Sequence, residues 1–169
     1  MHTLGCCSTA MSELPDTLAE ITRHLKGRIL LIGRKIGQAQ FGTFKDALRV
    51  EAKPSKYPTG TNPIPWKTGL LTRFNRGDFD SIVLHRFLYK PTRPYVEDPE
   101  RILSEISRVL PDEGVLVVNS FLLNETTRSF RSADCFYTET EMITLLQNSP
   151  FKNMDLVKVG DATFFVCKK

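Results

Sequence analysis

Few residues in this 169-residue chain are of a type and in a place to do chemistry. The first group is Gly33-Arg34-Lys35-Ile36-Gly37, which follows the apolar run Ile29–Ile32. Two glycines bracketing a turn let backbone approach a ligand closely. Lys35 between them can meet a carboxylate or a phosphate, or simply be a solvated loop lysine. Glu51 is the carboxylate near the end of a second short run, Ala47–Ala52. His85 stands at the mouth of the apolar run Ser81–Leu84, where an imidazole can accept a proton near neutral pH or play a structural part. Asn119 ends the run Val115–Val118 and either faces the same cleft or starts a loop. Arg73, Arg76, Arg86 and Arg93 cluster in sequence around Ser81–Leu84, as an anion site or as flanks of a core strand. Tyr57 and Trp66 alternate with lysines and prolines, a pattern that can stack bases and hold phosphates and that also suits a solvated loop.

Composition narrows the classes. Lys and Arg total 23 against 19 Asp and Glu, a net charge of +4, which permits an anionic ligand without implying nucleic acid. Hydrophobic residues at 41 % allow an ordinary core without staples. The cysteines Cys6, Cys7, Cys135 and Cys167 have no C-x-x-C spacing, so neither a zinc site nor a redox pair is indicated. Reduced thiols in a cytoplasmic protein are the expectation. No 18-residue apolar run exists for a membrane span, and residues 1–13 lack the basic and apolar regions of a signal peptide. No Walker loop, Ser/His/Asp signature or metal-ligand spacing occurs.

The elements that must position these residues follow from pattern. Residues 1–13 read as a flexible N-terminal leader, and 14–169 as a single domain. Asp16 can cap a helix whose Leu18, Ile21 and Leu25 share one face, with Gly27 as its C′ glycine. Strands are expected over Arg28–Ile32, Ala47–Ala52, Ser81–Leu84 and Val115–Val118, and a short helix over about Gln38–Leu48. The four prolines of residues 53–69 make that stretch a loop, and Gly69–Phe74 a short strand. Asp98 and Pro99 open a helix with Ile102, Leu103, Ile106, Val109 and Leu110 on one stripe. Asn119 to Cys135 reads as polar loop. Thr138 and Glu141 form a capping box for a helix carrying Met142, Ile143, Leu145 and Leu146. Met154–Val159 and Thr163–Cys167, around Gly160-Asp161, form an antiparallel hairpin. The result is α/β: an open, mostly parallel sheet with helices on both faces and a C-terminal antiparallel hairpin. Ligands in such sheets bind beyond the C-terminal strand ends, which selects Gly33–Gly37, Glu51–Ala52, His85–Tyr89 and Asn119–Leu123.

The segment FDSIVLHRFLY, followed by DPERILSEISRVLPDEGVLVV, resembles the second half of a class I S-adenosylmethionine-dependent methyltransferase. FYTETEMITLLQNSPFKNMDLVKV is similar to the helix and following strand of many members, and the terminal hairpin to their reversed last strand. The likeness covers about residues 27–169 and implies a methyltransferase-like Rossmann fold. It implies S-adenosylmethionine as cofactor, held by Gly33, Lys35 and Gly37 at the family's Gly-rich turn, with Glu51 as the ribose carboxylate. It also implies His85 at the position where members place substrate or base residues. Three departures stand in the cofactor half: Lys35 falls on the central glycine, Leu31 falls where an acid usually sits, and the proline-rich loop replaces the next helix. No N-P-P-Y motif of the amino-methyltransferases is present.

Two functions follow from the resemblance. One is a methyltransferase acting on an acceptor that the residues do not specify. The other is a catalytically inactive methyltransferase-like module, of the type of anamorsin's N-terminal domain, that binds a protein partner. Nucleic acid is compatible with the charge without being indicated.

Overall fold

The computed structural model describes residues 14–34, 44, 46–52, 64–92 and 96–169. Four central apolar segments form strands flanked by helices, as their hydropathy requires. In chain order the elements are α1 (Leu14–His24), β1 (Ile29–Gly33), β2 (Leu48–Glu51), β3 (Ile64–Pro65), β4 (Ser81–His85), α2 (Pro99–Val109), β5 (Val115–Asn119), α3 (Glu139–Gln147), β6 (Asn153–Val159) and β7 (Ala162–Lys168). Short 3-10 turns occupy Leu70–Arg73, Thr127–Ser129 and Ala133–Cys135. The seven strands form one sheet in the order β3-β2-β1-β4-β5-β7-β6. β3 to β5 run parallel, and β7 is antiparallel to both β5 and β6.

Strand alternation divides the core. Leu30, Ile32, Val50, Ile82, Leu84, Leu116, Val118 and Phe165 face α2, α3 and the Leu70–Arg73 turn. Leu31, Val83, Val115, Val117, Phe164 and Val166 face α1, packing with Leu18 and Ile21. Central strands apolar on both faces are what a helix-covered parallel sheet demands.

The helix caps follow the chemistry of their sequences. The Asp98 side chain accepts from the Glu100 amide at 3.1 Å, with Pro99 opening α2. Thr138 and Glu141 make the reciprocal capping box of α3. α1 begins at Leu14, so Asp16 lies inside it and is not its cap. Gly27 lies three residues beyond α1, and its φ of +58° serves the turn into β1. A side chain there would collide with the Asp80 carboxylate.

Three other segments differ from their pattern. Gly69–Phe74 is a 3-10 turn rather than a strand: Gly69 has φ +81°, and the Thr72 and Phe74 amides donate three residues back, to the Gly69 and Leu71 carbonyls at 3.1 Å each. Part of the proline-rich loop is β3, whose Pro65 is tolerated because β3 is an edge strand. The expected helix over 38–48 falls mostly outside the described residues, and Leu48 itself starts β2. The leader at 1–13 and residues 53–63 of the loop also lie outside the described residues. No helix among the described residues is long and apolar enough to cross a membrane.

Candidate functional site

The pairing register brings the sequence candidates into line. Glu51 is opposite Gly33, Gly33 is opposite His85, His85 is opposite Asn119, and Asn119 is opposite Phe164. These residues form one row across the C-terminal ends of the parallel strands. Alternation places them all on the face covered by α1, because Val50, Ile32, Leu84 and Val118, each one residue earlier, face the other way. With strands about 4.8 Å apart, Glu51 and His85 are roughly 10 Å apart across bare Gly33.

Each member of the row has a distinct environment. Glu51 is 3 % exposed, and its carboxylate makes no hydrogen bond or ion pair to the described residues. A buried carboxylate without a donor is costly, and a ligand hydroxyl would relieve it. Gly33 is required by crowding: a Cβ there would stand 2.1 Å from the His85 carbonyl oxygen. That contact, with the Arg34 amide donating to the same oxygen at 3.1 Å, brings β1 and β4 tightly together. Lys35 and Gly37 lie outside the described residues. Leu31 is fully buried against the α1-side core.

His85 is 3 % exposed. Burial, aided by the neighbouring Arg86 charge, pushes its imidazole down to about 3, so it is neutral at physiological pH. Arg86 has φ +52°, a left-handed conformation that costs an L residue about 1 kcal/mol or more. Its amide donates to the Asn119 carbonyl at 2.6 Å, which fixes the exit of β4 against the end of β5. Its guanidinium lies over the Phe121 ring, 4.2 Å from the centroid.

Beside His85 the structure opens a cavity of about 290 Å³ over β4, β5 and β7. His85, Arg86, Asn119, Ser120 and Phe121 line its floor, and Thr17 of α1 and Asp161 of the β6–β7 turn also border it. Ser120 is 7 % exposed, and its hydroxyl has no hydrogen-bond partner among the described residues. The opposite wall is the segment after β5, which is folded rather than open loop. Asn124 and Thr127 exchange bonds of 2.9 Å in both directions, and the Leu123 amide donates to the Tyr137 carbonyl at 2.8 Å. This holds Phe130 edge-on to Phe121, with Phe136 behind both. Sequence reasoning named His85, Arg86 and Asn119, covered Ser120 and Phe121 only within the stretch Asn119–Leu123, and missed Phe130. The aromatic spacing Phe121, Phe130, Phe136 was the available signal.

The arginine group separates. Arg76 pairs with Asp112, Arg73 is exposed, Arg93 lies outside the described residues, and of the three described Arg86 alone lines the cavity. Trp66 packs edge-on against Phe87, its centroid 4.8 Å away, and its amide donates to the Glu51 carbonyl at 2.8 Å. Tyr57 is outside the described residues. Cys135 and Cys167 are free and buried, and burial pushes the Cys167 thiol up to about 12.

No protein-family model matches the chain, and no curated protein matches it. Solved structures do. A methyltransferase of Thermotoga maritima, described as a possible histamine N-methyltransferase, is 20 % identical with a TM-score of 0.62, over 94 % of this chain and 88 % of that one. An S-adenosylmethionine-dependent methyltransferase of Aquifex aeolicus gives a TM-score of 0.64 at 13 % identity, over 91 % and 88 %. This chain has the S-adenosylmethionine-dependent methyltransferase fold. A third similar structure is a putative methyltransferase of Haloferax volcanii in complex with the activator Trm112, with a TM-score of 0.63 at 13 % identity over 95 % and 91 %. The methyltransferase fold includes the mostly parallel sheet and reversed terminal hairpin expected from the sequence.

Proposed function

We propose that this chain is an S-adenosylmethionine-dependent methyltransferase whose acceptor enters the cavity beside His85. The observation that carries this is the single row of Glu51, Gly33, His85 and Asn119. A buried carboxylate without a donor among the described residues stands at one end, and a cavity of about 290 Å³ stands at the other. The residues present fit the cofactor: the Glu51 carboxylate can accept both hydroxyls of a ribose, and Gly33, whose side-chain position the His85 carbonyl fills, holds the ends of β1 and β4 close together between it and the cavity. Lys35 and Gly37 are proposed to complete the turn over the cofactor. When bound, the cofactor supplies an electrophilic methyl group on a sulfonium.

The chain's own contribution is placement. Methyl transfer depends chiefly on alignment, and the aromatic contacts among Phe121, Phe130 and Phe136 give one side of the cavity an apolar wall. His85, held neutral, presents a weakly basic imidazole. It contributes shape and polarity more than proton abstraction, since an effective base needs a pKa near the working pH.

Titration calorimetry tests the reading. Wild type is expected to bind S-adenosylmethionine, and Glu51→Gln to weaken it about tenfold or more by removing a charge-assisted bond pair. Absence of heat and of thermal shift at millimolar cofactor overturns it. Leu31, buried where the family usually places an acid, supports a second reading as an inactive module that binds a protein partner. That reading fails if wild type binds the cofactor at micromolar concentration.

A further inference from the structure

We infer that the cavity beside β5 binds a small aromatic acid, its carboxylate held by Arg86 and Ser120 and its ring packed against the exposed side of Phe130. Four observations carry this. Arg86 is half-buried, and among the described residues no carboxylate pairs with its guanidinium. One flat face of that guanidinium is covered by Phe121, which leaves its N–H edge as the binding surface, and that edge matches a carboxylate bidentately. Ser120, next to Arg86's backbone partner Asn119, carries a buried hydroxyl without a partner among the described residues. A native protein leaves few such groups, and each calls for an explanation such as a ligand.

The third observation is Phe130. It is 42 % exposed and borders the cavity, one of two large apolar side chains so exposed among the described residues. Its T-shaped contact with Phe121 shows one edge occupied, and an aromatic guest in the cavity would cover more of it. The fourth is the Arg86 backbone. A residue held at φ +52° would be relaxed as glycine, so the strain is retained for the side chain.

Size and charge limit the ligand. A volume of about 290 Å³ is at the small end of ligand pockets, enough for one ring and its substituents. Asp161 also borders the cavity, but it is exposed at the hairpin tip, where solvent screens it; His85 is neutral. Arg86 is therefore the dominant charge at the cavity floor.

Calling this ligand the methyl acceptor rests on the function proposed above; binding itself needs no cofactor, so the two fail separately. Benzoate is the probe, with benzamide as its neutral match and inorganic phosphate as the ringless anion. Titration of the protein without cofactor, followed by amide chemical shifts of residues 119–130, is expected to show saturable benzoate binding. Benzamide should bind at least tenfold more weakly, and phosphate likewise. Arg86→Gly keeps the backbone relaxed and folded, and should abolish binding; Ser120→Ala and Phe130→Ala should each weaken it several-fold. Glu51→Gln should leave benzoate binding unchanged, whatever it does to S-adenosylmethionine. No shifts at tens of millimolar benzoate overturn the inference. So does equal binding of benzamide, equal binding of phosphate, or undiminished binding by the folded Arg86→Gly protein.

Discussion

His85 is a buried imidazole beside a cation, and both features disfavour its charged form. Its folded pKa of about 3 lies below the unfolded value of about 6.5. Between those values the unfolded chain binds the extra proton, so stability rises with pH across the window and is lost as pH falls from about 6.5 toward 3. One proton gives a slope of up to about 1.4 kcal/mol per pH unit. Urea unfolding of wild type and His85→Asn across pH 4–7 measures it: the difference in slope should be close to one proton. Equal slopes would show that His85 titrates alike folded and unfolded. The sequence marked this residue as chemistry-bearing because it follows an apolar run. Its neutrality was not legible there, since desolvation depends on the whole surround.

At the scale of elements, local signals carried far. The box S/T-x-x-E is satisfied within four residues, so Thr138 and Glu141 identify their own helix start. Thr138→Ala should cost about 1 kcal/mol and lower Tm by roughly 2–4 °C in a protein of this size, read by calorimetry. The same reasoning misplaced the start of α1 and mistook Leu70–Arg73 for a strand. There the deciding partners are remote: Arg108 donates to the Leu71 carbonyl at 2.7 Å and the Phe74 carbonyl at 3.0 Å, from a helix over thirty residues away. The polar stretch after Asn119 misled for a similar reason. Its aromatics are dispersed among polar residues, and only the bonds between Leu123 and Tyr137 gather them.

For the whole molecule, one sheet serves both cores, so neither can melt without the other. Unfolding should therefore be a single transition, with fluorescence of Trp66, the sole tryptophan, and far-ultraviolet circular dichroism giving the same midpoint. Separate midpoints would contradict the single-domain reading. The amino-acid pattern alone was enough for the strand order's raw material: which runs are buried on both faces, where α2 and α3 start, and that the terminal hairpin is antiparallel. It did so because hydropathy period and capping chemistry act over a few residues. It also named Glu51, Gly33, His85 and Asn119 separately. That they share one row and one face came from the folded sheet, because register between strands is set by pairing across it. Burial and the meeting of remote segments likewise decided that Arg86, Ser120 and Phe130 border one cavity, since neither is encoded at short range.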